Sequence, residues 1–166
     1  MLTFQQANTE NLKKYGHELF SILWNNMNAM DPLPMDPETV FSNWLPSHLK
    51  MLEKEEHEMI LFFDAEEKPA GYFSYILKND IFFLNDIQTQ PDCQGKGWVY
   101  RPLMKFLLPQ LPAHLRFTEA YVGKYNPRSS AILERFGMKA IGETPNGRSW
   151  IYRGAFSALL DWVNQK

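Results

Sequence analysis

Gln94, Gly95, Lys96 and Gly97 follow a strand-like run that ends at Thr89 and precede an apolar stretch from Trp98 to Leu108. A glycine-rich turn entering a helix leaves backbone N–H groups without intrahelical partners, and the helix dipole sets its positive end beside them. Such a turn is an anion site that needs no basic cluster, so phosphate binding is the chemistry this placement points to. Gly and Lys are also ordinary turn residues, and these four residues taken alone are equally well a plain turn.

A second segment adds weight. From Asn126 the chain reads NPRSSAILERFGM, a turn, a short helical stretch and a glycine stop, preceded by the strand-like run Phe117 to Val122. Together the two segments resemble the GNAT N-acetyltransferase superfamily. That family's loop carries Gln or Arg, two residues, Gly, one residue, then Gly or Ala; Gln94 and Gly97 fit, and Val99 departs at the last position. Its later segment runs from an Asn through a small residue into a helix and closes with Gly and an apolar residue, which Asn126, Ser129, Gly137 and Met138 match. The resemblance extends over Asn85 to Ile141.

The resemblance implies an α/β (α+β) GNAT fold. Its mixed, mostly antiparallel central sheet is flanked by helices and splays to admit the cofactor. It also implies acetyl-CoA as cosubstrate and no metal. The edge formed by Ile87, Gln88 and Thr89 would run along the pantetheine arm. Gln94, Gly95, Lys96, Gly97 and Val99 would surround the pyrophosphate, Val99 through its backbone N–H, with a branched side chain that narrows the approach. Asn126 would reach the arm through its side-chain amide, and Arg128 and Ser129 the distal phosphates. Read from the residues alone, Asn126 is equally a turn residue before Pro127, Ser129 a helix cap and Arg128 a solvated charge.

Amine acetylation needs a neutral amine attacking the thioester, stabilisation of the developing oxyanion, and an acid for the departing thiolate. Many GNAT enzymes take that acid from a Tyr in the helix after the Asn, where this chain has Leu133. Tyr121 and Tyr125 are the nearby substitutes, set against a packing role for each. Asp86 and Glu119 are the candidate bases, set against solvent-facing strand residues. The four histidines, His17, His48, His57 and His114, have no metal-ligand spacing and read as surface or partly packed residues. Cys93 adjoins the loop without a paired His nearby. Trp24, Phe41, Trp44 and Met27, Met30 and Met35 read as core, with a lining for an apolar substrate arm as the alternative.

The expectation is an acetyl-CoA-dependent N-acetyltransferase acting by direct attack of a primary amine, on a small molecule or a protein. Its rival is a catalytically degenerate acyl-CoA-binding or interaction protein of the same fold, which Leu133, Val99 and Pro102 favour. A nucleotide-phosphate binder is weaker, because the loop lacks the Gly-Lys-Ser/Thr ending of a P-loop.

The 166 residues suit a single domain over 1–166. With 45% hydrophobic and 14% aromatic residues the chain is not a disordered one, and no apolar run reaches the roughly 18 residues that cross a bilayer. A formal charge of −2 with interspersed signs leaves no footprint for nucleic acid. The start MLTFQQANTE has no signal-like character and there is one cysteine, so a cytoplasmic monomer or homodimer with no membrane or nucleic-acid partner is expected.

The positioning elements follow from periodicity. Leu2 to Phe4 reads as a strand, and Leu12, Tyr15, Leu19, Ile22 and Leu23 as a helix after Asn8 and Thr9. Asn28 to Pro37 reads as a loop. Asp36-Pro37 starts a helix, Pro46 divides it, and Ser47 caps a further piece ending in the solvated acidic run Glu53 to Glu58. Met59 to Phe63, Ala70 to Leu77 and Ile81 to Thr89 read as antiparallel strands. Pro102 predicts a kinked or irregular first turn in the next helix. Asn146-Gly147 makes a hairpin into Ser149 to Arg153, and Phe156, Leu159, Leu160 and Val163 form a short amphipathic tail helix.

Overall fold

The computed structural model describes residues 1–95 and 97–166. Lys96, expected in the anion loop, lies outside the described residues. The elements run β1 (Thr3–Gln6), α1 (Thr9–Met30), α2 (Pro37–Leu52), β2 (His57–Phe63), β3 (Pro69–Lys78), β4 (Ile81–Thr89), α3 (Tyr100–Leu107), β5 (Phe117–Gly123), α4 (Pro127–Arg135), β6 (Lys139–Glu143), β7 (Ser149–Ala155) and α5 (Phe156–Asn164). Seven strands form one sheet in the order β1-β2-β3-β4-β5-β7-β6. The β4–β5 pair is parallel, with a register from Ile81↔Phe117 to Leu84↔Ala120 that covers no residue of β4 beyond Leu84. The β1–β2, β5–β7 and β6–β7 pairs are antiparallel.

The chain divides into two compact units, one of Met1–Ser74 with Asp86–Leu103 and the other of Tyr75–Asn85 with Met104–Lys166. In the first, α1 opens on a capping box: Asn11 donates its backbone N–H to Asn8 Oδ1 at 2.8 Å, and Asn8 donates its own to Asn11 Oδ1 at 2.7 Å. The helix continues to Met30, so the expected loop from Asn28 begins later, at Asp31. Leu12, Leu19 and Phe20 of α1 are buried with Trp44 of α2, Leu61 of β2 and Tyr72 of β3.

Asp36 caps α2 by accepting the Thr39 N–H at 3.0 Å, with Pro37 at the first helical position. The expected break at Pro46 does not occur. Pro46 lies inside one continuous helix, and Ser47 caps nothing. Packing explains it: Val40, Phe41, Leu45, Leu49 and Leu52, on both sides of the proline, seat against the same core cluster. Burial on that scale outweighs one lost backbone hydrogen bond, which an isolated peptide would not survive.

In the second unit, β5, β6 and β7 carry α4 and α5 against them. Phe82, Val122, Leu133, Phe136, Met138, Tyr152, Phe156 and Leu159 are buried there. The tail helix therefore packs on its own chain, with Trp162 tilted against Phe136 at 4.7 Å between ring centroids. The expected hairpin is present: Thr144 donates its N–H to the Ser149 carbonyl at 3.0 Å, and Gly147 has φ 68.

Candidate active site

In the first unit the end of β4 is the centre of a polar network. Asp86 accepts a hydrogen bond at each carboxylate oxygen, from the Tyr72 hydroxyl at Oδ2 and from the Gln88 side-chain amide at Oδ1, both at 2.8 Å. Asn26 of α1 donates to Gln88 Oε1 at 3.1 Å and to the Thr89 carbonyl at 3.0 Å. Gln94 donates to that same Thr89 carbonyl at 3.1 Å, so its side chain ties the loop back to the strand end. Side chains at alternate strand positions share a face, which is why Asp86 and Gln88 meet.

Tyr72 is fully buried. Burial pushes its hydroxyl well above the usual range, the Asp86 charge and their hydrogen bond act the same way, and the Trp44 side chain acts weakly against them. It therefore stays protonated and remains a donor. Trp44 lies tilted on Tyr72 at 6.0 Å between centroids, and its buried indole N–H, though directed so as to favour the Tyr72 phenolate weakly, has no partner within hydrogen-bond geometry among the described residues.

His48 stacks on Trp44 at 4.3 Å, with 30° between the planes, and stands edge-on to Tyr72 at 6.4 Å. Its Nδ1 is 2.9 Å from the Trp44 carbonyl. A carbonyl only accepts, so Nδ1 carries the hydrogen and the neutral ring keeps its lone pair on Nε2. Burial lowers the pKa of His48 below its free value, against the opposing Trp44 carbonyl and Asp86 charge.

The loop beyond Thr89 passes through a 3₁₀ turn at Pro91–Cys93 and holds Gly95 at φ 78 and Gly97 at φ 68. Both are left-handed, the region that glycine enters without steric cost. A Cβ on Gly97 would meet nothing within 4 Å, so the space beside it is open. Val99 is buried at 4% exposure and its carbonyl accepts the Leu103 N–H at 2.9 Å. Its branched side chain therefore packs inward and does not narrow the loop. Pro102 falls before that first helical donor, at a position whose N–H would be unpaired in any helix, so the expected kink is not needed.

In the second unit Glu119 and Tyr121 sit on one face of β5. Glu119 pairs with Arg153 of β7 at 3.5 Å, and the guanidinium lies over Phe117 at 4.3 Å. Arg153 Nε is buried and has no partner within hydrogen-bond geometry among the described residues. Tyr121 is 52% exposed and meets Phe83 edge-on at 5.0 Å. Tyr125 is almost wholly exposed. Asn126 Oδ1 accepts the Ser129 N–H at 3.2 Å, which makes Asn126 the cap of α4. Leu133 is buried.

No family model matches the chain, and no curated protein matches it by sequence. Solved structures do match. PaiA N-acetyltransferase from Thermoplasma acidophilum, in complex with coenzyme A, superposes with a TM-score of 0.73 at 13% identity, over 94% of this chain and 99% of that one. Spermidine N-acetyltransferase from Vibrio cholerae, in complex with CoA and spermine, gives 0.66 at 20% identity, over 96% and 98%. Apo FdhC, a nucleotide-linked sugar GNAT, gives 0.70 at 11% identity, over 96% and 89%. The chain has the GNAT fold.

Against the expectations drawn from GNAT proteins, the structure groups the candidates by unit. Asp86, Gln88, Thr89 and Gln94 form one hydrogen-bonded set, with Ile87 between them on β4 and Gly95, Gly97 and Val99 continuing into α3. Glu119, Tyr121, Asn126 and Ser129 belong to the other unit. The sequence reading missed Asn26, Tyr72 and the pairing of Trp44 with His48. Only the last left a trace in sequence, since residues four apart share a helix face. Nothing local tells that Tyr72 meets Asp86.

Proposed function

We propose that this chain is an acetyl-CoA-dependent N-acetyltransferase that moves the acetyl group to a primary amine by direct attack. The observation that carries the reading is the left-handed Gly97 between β4 and α3, with open space where a side chain would stand. Backbone N–H groups at that turn suit a pyrophosphate, and the β4 edge at Ile87, Gln88 and Thr89 suits the two amides of the pantetheine arm. Glu119 and Tyr121 are proposed for proton transfer and Asp86 for its charge, and Asn126 and Ser129 for the cofactor's arm and phosphates. One Vibrio cholerae neighbour was solved with spermine, which supports a small-molecule amine as the acceptor.

A degenerate acyl-CoA-binding protein is the second reading. Burial of Leu133, at the place where many GNAT enzymes carry a Tyr acid, favours it. Calorimetric titration with acetyl-CoA, CoA and ATP tests binding, and release of thiol with spermidine, lysine and a peptide amine tests turnover. Binding of acetyl-CoA with thiol release supports the enzyme, and binding with none supports the degenerate reading. Failure to bind acetyl-CoA overturns both.

A further inference from the structure

We propose that His48 is the base that takes the proton from the acceptor ammonium, an assignment that rests on the N-acetyltransferase reading above. The Trp44 carbonyl fixes the ring with its hydrogen on Nδ1, so the Nε2 lone pair is the one a substrate proton would meet. Nε2 makes no hydrogen bond among the described residues and the ring is only partly buried, which leaves it open to an incoming donor. Trp44 holds one face of the ring by stacking, and Tyr72 limits it on an edge.

Asp86 takes a different part. Each of its oxygens already receives a side-chain hydrogen bond, and its charge acts on His48 in the sense that favours an imidazolium. Tyr72, which donates to Asp86 Oδ2 and meets His48 edge-on at 6.4 Å, links the two, and Asp86 is the carboxylate whose charge offsets that of the protonated ring. Among the described residues, Tyr72 of β3 stands edge-on to the ring and stays neutral, and the charge of Asp86 of β4 acts on that ring. A general base works best when it is neutral at working pH and gains a stabilised charge in the reaction, which is what this pairing supplies.

The protons balance as follows. The ammonium N–H breaks and the proton passes to His48 Nε2, leaving an amine lone pair. That nitrogen bonds to the thioester carbonyl carbon, the C–S bond breaks, and the thiolate leaves. The second proton lost by the nitrogen neutralises the thiolate, and His48 returns its own to water.

Nitrogen-15 histidine spectra of the full chain test the ring directly. The expected result is a lone-pair-bearing Nε2, a protonated Nδ1, and a titration below that of free histidine that moves lower still in Asp86→Asn. A ring protonated at Nε2, or one that titrates as free histidine does, overturns the proposal. In the thiol-release assay with acetyl-CoA and spermidine, His48→Gln is expected to lower kcat about a hundredfold and to remove the acid limb of the kcat/KM profile, with the KM for acetyl-CoA unchanged. A turnover profile the same in His48→Gln and in the parent overturns the base and leaves the acetyltransferase standing. A parent chain that releases no thiol overturns the enzyme reading and the base together.

Discussion

A Cβ built on Gly71 would stand 2.1 Å from the carbonyl oxygen of Gln88. The atom it would strike is backbone in β4, at the residue whose side chain orients Asp86. Gly71→Ala must therefore displace the strand that carries the network. A loss of about 1–3 kcal/mol of stability is expected, together with weaker acetyl-CoA binding. Denaturant melts and calorimetry on the same preparation check both, and a variant as stable and as tight-binding as the parent would show that β4 tolerates the shift.

At the loop, two substitutions separate the anion site from its surroundings. Gly97→Glu has room for its side chain, but it strains a backbone held at φ 68 and places a carboxylate where the pyrophosphate is proposed to lie. Cys93→Ala trims a half-exposed thiol. Acetyl-CoA at about a hundred times its dissociation constant should stabilise the parent and Cys93→Ala by about 2.7 kcal/mol, and Gly97→Glu not at all. Equal thermal shifts in the two variants would remove the loop from the site.

Tyr72→Phe deletes a hydroxyl that donates to Asp86 Oδ2 from a fully buried ring. Hydrogen bonds to charged groups contribute about 1.5–3 kcal/mol, and Asp86 keeps Gln88 and some access to water, so the lower end of that range is expected. Equilibrium unfolding in urea measures it. No loss would mean that water replaces the hydroxyl at full value.

His48 also gives the fold a dependence on pH whose sign is fixed. Its folded pKa lies below the free value of 6.5 because burial disfavours the charged ring. Above that free value both states are neutral and the stability from burying a neutral ring is fully present. As pH falls below it, the unfolded chain takes up a proton before the folded one, and that stability drains away through the folded pKa. Melts from about pH 7.5 to about pH 5 should show the parent losing more stability than His48→Gln. A constant difference across that range would mean the ring titrates alike in both states.

Much of the fold was legible because it is local. Asp36-Pro37 fixes a helix start by its own side chain and ring, and Asn146-Gly147 fixes a hairpin by its own φ preference. Pro46 misled because its cost is local and its compensation is not: Leu45 and Leu49 hold the helix together through residues distant in sequence. The same distinction applies to the site. Gln94 and Gly97 stand out by spacing, whereas Tyr72 and Asp86 meet only because β3 and β4 carry them there, and Asn26 arrives from α1 across a separation of 62 residues from Gln88.

The stack of His48 on Trp44 reaches beyond chemistry to light. An indole emits differently beside a neutral and a charged imidazole, since the protonated ring accepts the excited electron. A ring 4.3 Å away couples Trp44 emission to the protonation of His48. With Trp24, Trp98, Trp150 and Trp162 replaced, Trp44 emission is expected to report the state of that one nitrogen without a label and in the absence of any substrate.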